Sequence, residues 1–184
     1  MRQRICSILT CVVALWTFST QHTSAQMIAL RSDVAKDLVM TPNFGVDLVV
    51  GEKYTIGAEV AFNNNPWGIQ MQMTSVTPEF RFWYNGRPFT RQYVGVVANF
   101  TSYDLVWNNI YAGDALGIGL SFGHVRTLTK RWNIDFTASG GFMGYKQKYY
   151  YQNDYFADYG ERTNAKGYLL LPIRLGVSVV YVLR

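Results

Sequence analysis

From Tyr168 to Arg184 the chain reads YLLLPIRLGVSVVYVLR, an alternation with a period of two. Leu169, Leu171, Ile173, Leu175, Val177, Val179, Tyr181 and Leu183 share one parity. Leu170, Pro172, Arg174, Gly176, Ser178, Val180 and Val182 share the other, which is smaller, more polar and charged. Successive strand side chains point to opposite faces, so the stretch reads as a strand with one uniformly oily face. Its ~17 residues exceed the ~5–6 of an ordinary soluble strand and suffice for a tilted membrane strand, which needs ~9–11.

The same scheme recurs along the chain. Met27–Asp33 is a short first strand, and residues 35–42 connect it to a second from Asn43 to Val50. There Phe44, Val46, Leu48 and Val50 oppose Asn43, Gly45 and Asp47, and Gly51-Glu52-Lys53 reverses the chain. In Tyr54–Asn63, Ile56, Ala58, Val60 and Phe62 oppose Thr55, Gly57, Glu59 and Ala61, and a breaker-rich loop ends at Gly68. In Met71–Tyr84, Val76, Phe80, Phe82 and Tyr84 oppose Ser75, Thr77, Glu79, Arg81 and Trp83; Pro78 removes one ladder donor there.

After the turn at Asn85-Gly86-Arg87-Pro88 come Tyr93–Tyr103, a connection over residues 104–112, and a strand carrying Leu116, Ile118, Leu120 and Phe122. Leu128–Arg131 turns into Trp132–Phe142, and a Tyr-rich loop over residues 148–165 leads to the final strand. Connections are short after the second, fourth and sixth strands and longer after the others. Outer-membrane barrels show that asymmetry, with tight periplasmic turns and longer external loops. The expected fold is all-β: an eight-stranded, antiparallel, up-and-down transmembrane β-barrel.

The ends and the composition narrow the class. Arg2 and Arg4, an apolar run from Ile5 to Phe18, and His22-Thr23-Ser24-Ala25 predict a secretory signal over residues 1–25, leaving residues 26–184 as one barrel domain. Both cysteines, Cys6 and Cys11, leave with that signal, and the formal charge falls from +5 to +3 without Arg2 and Arg4. The remainder is expected to have no disulfide, and its modest charge gives no reason to expect nucleic acid. No window reaches the ~18 uninterrupted apolar residues of a membrane helix, so a closed barrel is the remaining way to span lipid.

Two resemblances add to this reading. Arg174, Gly176, Val179 and Tyr181 resemble the terminal signal by which outer-membrane barrels are recognised by the insertion machinery. The run from Met40 to Tyr54, MTPNFGVDLVVGEKY, together with YAGDALGIGLSFG from Tyr111 and KRWN from Lys130, resembles a Bacteroidetes family of small outer-membrane β-barrels. That family is known mainly as a domain of unknown function. The resemblance implies an outer-membrane location after signal cleavage near Ala25, and a tie to fimbrial or other surface-structure assembly. Leu30-Arg31-Ser32-Asp33 departs from the usual family start.

With the oily parity facing lipid, the other parity collects Arg31, Asp47, Glu59, Glu79, Arg81, Asp135 and Arg174, with Asp33 beside them. An eight-stranded barrel is just wide enough for side chains to fill, and isolated enclosed charges cost several kcal/mol, so these groups are expected to pair as a lumen ion network. Glycines 45, 57, 95, 117, 119 and 123 are expected to make room for Arg81 and Arg174. Such a lumen passes no solute.

No catalytic residue, cofactor or metal site is expected. His124 is the one histidine beyond the signal, and it differs in parity from Ser121. Gly117-Ile118-Gly119 introduces no helix, so it is barrel packing and not a phosphate loop. Tyr149, Tyr150, Tyr151, Tyr155, Phe156 and Tyr159 mark an external loop suited to recognition, with an extended aromatic girdle as the plainer reading. Trp67, Trp107 and Trp132 read as girdle residues.

The function expected is structural, anchoring or surface-assembling. The partners expected are outer-membrane lipids, the insertion machinery and surface or fimbrial proteins. The rivals are a lipid-modifying barrel enzyme and a soluble lipocalin-like ligand binder.

Overall fold

The computed structural model describes residues 27–106, 109–151, 163 and 165–183, with the side chains at 150 and 151 excepted. The expected signal, Trp107, Tyr155, Phe156 and Tyr159 lie outside the described residues. Eight strands follow one another: β1 Ile28–Asp33, β2 Asn43–Val49, β3 Tyr54–Asn64, β4 Gln70–Trp83, β5 Arg91–Val106, β6 Asn109–Thr127, β7 Trp132–Tyr151 and β8 Ala165–Leu183. Each pairs antiparallel with the next, and β1 pairs with β8, so the sheet closes into a barrel in sequence order.

Closure is staggered. The pairing from Ile28 runs through Leu48, Ile56, Phe80, Val96, Leu120 and Gly140 to Pro172, whereas Ile28 itself pairs with Leu183. The offset along β8 is 183 − 172 = 11 residues. A stagger of this kind requires tilted strands, at ~35–45° to the barrel axis in closed sheets.

The two parities separate inside from outside. Phe44, Ile56, Phe80, Phe100, Ile118 and Phe136 are exposed on the outer surface, while Arg31, Asp47, Glu59, Glu79, Arg81 and Asp135 are buried within. Pro78 pairs with Ala58 of β3, and the register with β5 skips from Val76 to Glu79, consistent with its missing N–H.

The structure corrects four expectations. Residues 104–112 are mostly strand: β5 and β6 extend through them and pair as far as Val106 with Ile110. Tyr149, Tyr150 and Tyr151 belong to β7 and not to a loop. The connection after β1 contains a short helix, α1 (Val34–Leu38), whose first turn is capped when Asp33 Oδ1 accepts from the Ala35 N–H at 3.1 Å. This helix packs on β8 just where β1 has ended.

The fourth correction concerns β8. Its register against β7 jumps between Ser139–Arg174 and Gly140–Pro172, leaving Ile173 as an extra residue. A bulge of this kind changes which parity faces inward. Below it Leu175 and Val177 point out, as expected. Above it Tyr168, Leu170 and Pro172 pair with Gly144, Phe142 and Gly140 and so share the outer side of Phe142, while Leu169 and Leu171, also exposed, take the other parity. Leu169, Leu171 and Ile173 therefore leave the outer oily row, and the Ile173 side chain reaches the inward space above Gly119.

Candidate functional site

The inward rows of every strand converge on one enclosed cluster. Arg31 on β1 lies 3.5 Å from Asp47 on β2, 3.6 Å from Glu59 on β3 and 3.5 Å from Glu79 on β4. Arg81 donates to Glu79 at 2.7 Å and to Asp135 on β7 at 3.1 Å. Arg174 on β8 donates to Asp33 at 3.1 Å and to Ser178 at 2.7 Å, and lies 3.0 Å from Glu59. Every residue expected in the lumen network is in it, and Asp33 joins them.

Three features of the network were not legible in advance. Lys36 reaches inward from α1 to Glu59. Ser121 donates to Glu79 Oε1 at 2.6 Å, giving that carboxylate a partner on each oxygen. Asp33 both caps α1 and accepts from Arg174, so the helix and the network share one carboxylate. Asn43 braces the same corner, accepting from the Asp33 N–H at 2.6 Å and donating to Asp37 at 3.0 Å. Among the described residues the network therefore holds four cations, Arg31, Lys36, Arg81 and Arg174, against five carboxylates.

Below the charges lies an aromatic cork at the short-turn end. Trp83, Phe89 and Tyr93 pack together, with ring centroids 5.8 Å apart for Trp83–Phe89 and 4.9 Å for Trp83–Tyr93. Val125, Val180, Val182 and Ala29 complete it. Tyr93 joins the two layers: Arg81 stacks over its ring at 4.5 Å, and its hydroxyl donates to Asp135 at 3.1 Å. The Trp83 indole N–H finds Thr55 Oγ1 at 3.1 Å, as a buried indole must find an acceptor. Parity is silent on Phe89, because it sits in a turn, with a positive φ of 60°.

Glycines make room for these groups, but not mainly for the two arginines expected. A Cβ at Gly57 runs into the Asp47 carboxylate, one at Gly176 into Asp33, and one at Gly123 into the Tyr93 ring. Gly45 lies against Arg31, and Gly95 against Ser121 and Arg81. Gly119 accommodates Ile173, and Gly117 approaches Met143.

Ser121 is fully buried while His124, three residues on, is exposed on the outer face, so the two do not meet. Trp132 packs against Tyr181 with ring centroids 4.8 Å apart and planes tilted by 55°, and Arg131 donates to the Tyr181 hydroxyl at 3.2 Å, close to the short turns. Trp67 is exposed in a short 3-10 turn between β3 and β4. Tyr149 packs on Tyr111 at 5.1 Å and accepts from Asn109 at 2.8 Å. Of the residues of the expected insertion signal, Arg174 is committed to the ion network and Tyr181 to Trp132.

A family model described as "Protein of unknown function (DUF3575)" matches residues 8–183. No curated protein and no solved structure matches the chain.

Proposed function

The chain belongs to this family of proteins of unknown function, and we propose that it is a small outer-membrane β-barrel of Gram-negative cells, filled by its own side chains, with a structural role. It anchors or helps assemble a surface structure, fimbriae included, and meets partners through its long-loop end. Lipids surround it, and the barrel-insertion machinery places it in the membrane after signal cleavage near Ala25.

The observation that carries this reading is inverted polarity: charges are enclosed while large apolar side chains stand outside. In water, contiguous exposed apolar surface on this scale marks an interaction surface. Its shape fits a bilayer. On β7 the outward row from Trp132 to Phe142 spans ten residue steps, which at ~3.3 Å each and ~40° of tilt is about 25 Å tall. That is the height of the apolar band of outer-membrane barrels, ~25 Å. Trp132, Tyr181, Tyr54 and Tyr84 ring the short-turn end, where aromatic residues favour the membrane–water boundary. A soluble ligand-binding barrel needs the opposite arrangement, an oily interior.

Envelope fractionation tests the location. The protein is expected in the outer-membrane fraction, released only by detergent, and migrating faster on cold gels than after boiling. Recovery as a detergent-free periplasmic protein overturns the reading. Crosslinking with mass spectrometry on intact cells tests the role: capture of surface-structure subunits supports it, and loss of a lipid modification in a deletion strain with unchanged surface structures overturns it.

A further inference from the structure

High on the outer face of β7 and β8, starting at the upper edge of the apolar band, three directly paired rungs form a polarity gradient. Phe142 pairs with Leu170, Gly144 with Tyr168 and Lys146 with Lys166. The lowest rung is apolar and open, with Phe142 69% and Leu170 72% exposed. In the middle rung the Tyr168 ring lies across Gly144, where a Cβ would sit 3.4 Å from it, and Tyr168 is 90% exposed. The top rung sets two exposed lysines opposite each other, with Lys148 two residues further along the same face of β7.

Like charges directly opposite on adjacent strands destabilise a sheet. Among the described residues no carboxylate lies within 4.0 Å of Lys146, Lys148 or Lys166. The nearest acids by register are Asp114, opposite Lys146, and Asp104 on β5, so positive charge collects on β7–β8 and negative charge on β5–β6. Oil, then aromatic ring, then cation, in that order up one wall, is the complement of an anionic amphiphile standing in a bilayer.

We propose that this ladder binds a phosphate-bearing membrane lipid. Lys146, Lys166 and Lys148 hold the headgroup phosphate, Tyr168 covers the glycerol or sugar level, and Phe142 and Leu170 take the upper acyl chain. The site rests on the membrane reading above and deepens it, by naming the lipid class and the wall that selects it.

The test uses the full processed chain in vesicles of phosphatidylcholine with an increasing fraction of phosphatidylglycerol. Co-flotation with pure phosphatidylcholine vesicles first checks membrane residence. Native mass spectrometry of the extracted protein then gives the ratio of anionic to zwitterionic lipid retained. Wild type is expected to retain phosphatidylglycerol preferentially, and K146Q/K166Q to lower that ratio by about thirtyfold, at ~1 kcal/mol for each of the two interfacial lysines. A K53Q/K130Q control at the opposite end leaves it unchanged. If the protein floats but the ladder variant keeps the wild-type ratio, the site is wrong and the membrane reading stands. If it does not float, both fall. If inorganic phosphate binds the lipid-free protein while no lipid is retained, the ligand is a soluble anion and the lipid site is overturned.

Discussion

Arg174 meets Asp33, Glu59 and Glu79 within 4.0 Å and donates to Ser178, so it bridges three buried carboxylates. Removing one partner of a buried pair costs ~3–5 kcal/mol, because the charges left behind stay enclosed. Arg174→Ala is therefore expected to lower the melting temperature in detergent by roughly 10 °C, at ~2–4 °C per kcal/mol for a chain of this size. Arg174→Lys is expected to recover only part of the loss, since a point charge cannot serve several acceptors as the guanidinium fork does. Wild-type melting of the alanine variant is the result that refutes the pairing. Gly123 makes a separate, steric prediction. Gly123→Val drives a side chain into the Tyr93 ring and disturbs both the cork and the Arg81 stack. Its unfolding free energy, read from urea titration, is expected to fall by an amount typical of overpacking, ~1–3 kcal/mol.

At the scale of elements, β8 is two regular strands of opposite parity joined at Ile173. Deleting Ile173 removes the bulge without turning either half over: Arg174 stays inward, and Leu170 and Pro172 stay outward. That variant is expected to fold, losing only the contact between Ile173 and the space above Gly119. Deleting Leu175 is different. The bulge must be absorbed to keep both ends of the strand in place, and Arg174 is then the residue turned outward. Heat-modifiability on cold gels separates the two: a folded band for the Ile173 deletion, and a loss at least as large as Arg174→Ala for the Leu175 deletion. Equal behaviour contradicts the assigned parity switch. α1 fits the same logic, since β1 and β2 end low on the wall, and the helix stands beside β8 with its cap residue and Lys36 tied into the network.

For the whole molecule, the membrane reading gives two further outcomes. An outward charge at mid-height, Leu120→Arg, is expected to cost ~2–4 kcal/mol in a lipid bilayer, against about 0.5 kcal/mol or less at an ordinary wet surface; unfolding in vesicles measures it. The lumen, filled by ten or so charged side chains over an aromatic cork, is expected to pass no ionic current in a planar bilayer, and steady unitary conductance refutes that.

The period-two alternation by itself determined the strand count, the antiparallel order and the inward membership of Arg31, Asp47, Glu59, Glu79, Arg81, Asp135 and Arg174, because parity is a local property of extended backbone. Only the tertiary structure decided that Ile173 reverses the parity of upper β8, that Phe89 folds into the cork and that Lys36 reaches Glu59. It alone brought Lys146 opposite Lys166. Each of these depends on register between strands, or on a turn or helix where no alternation exists to be read. A sequence fixes which way a strand residue faces relative to its neighbours, and pairing fixes what it faces.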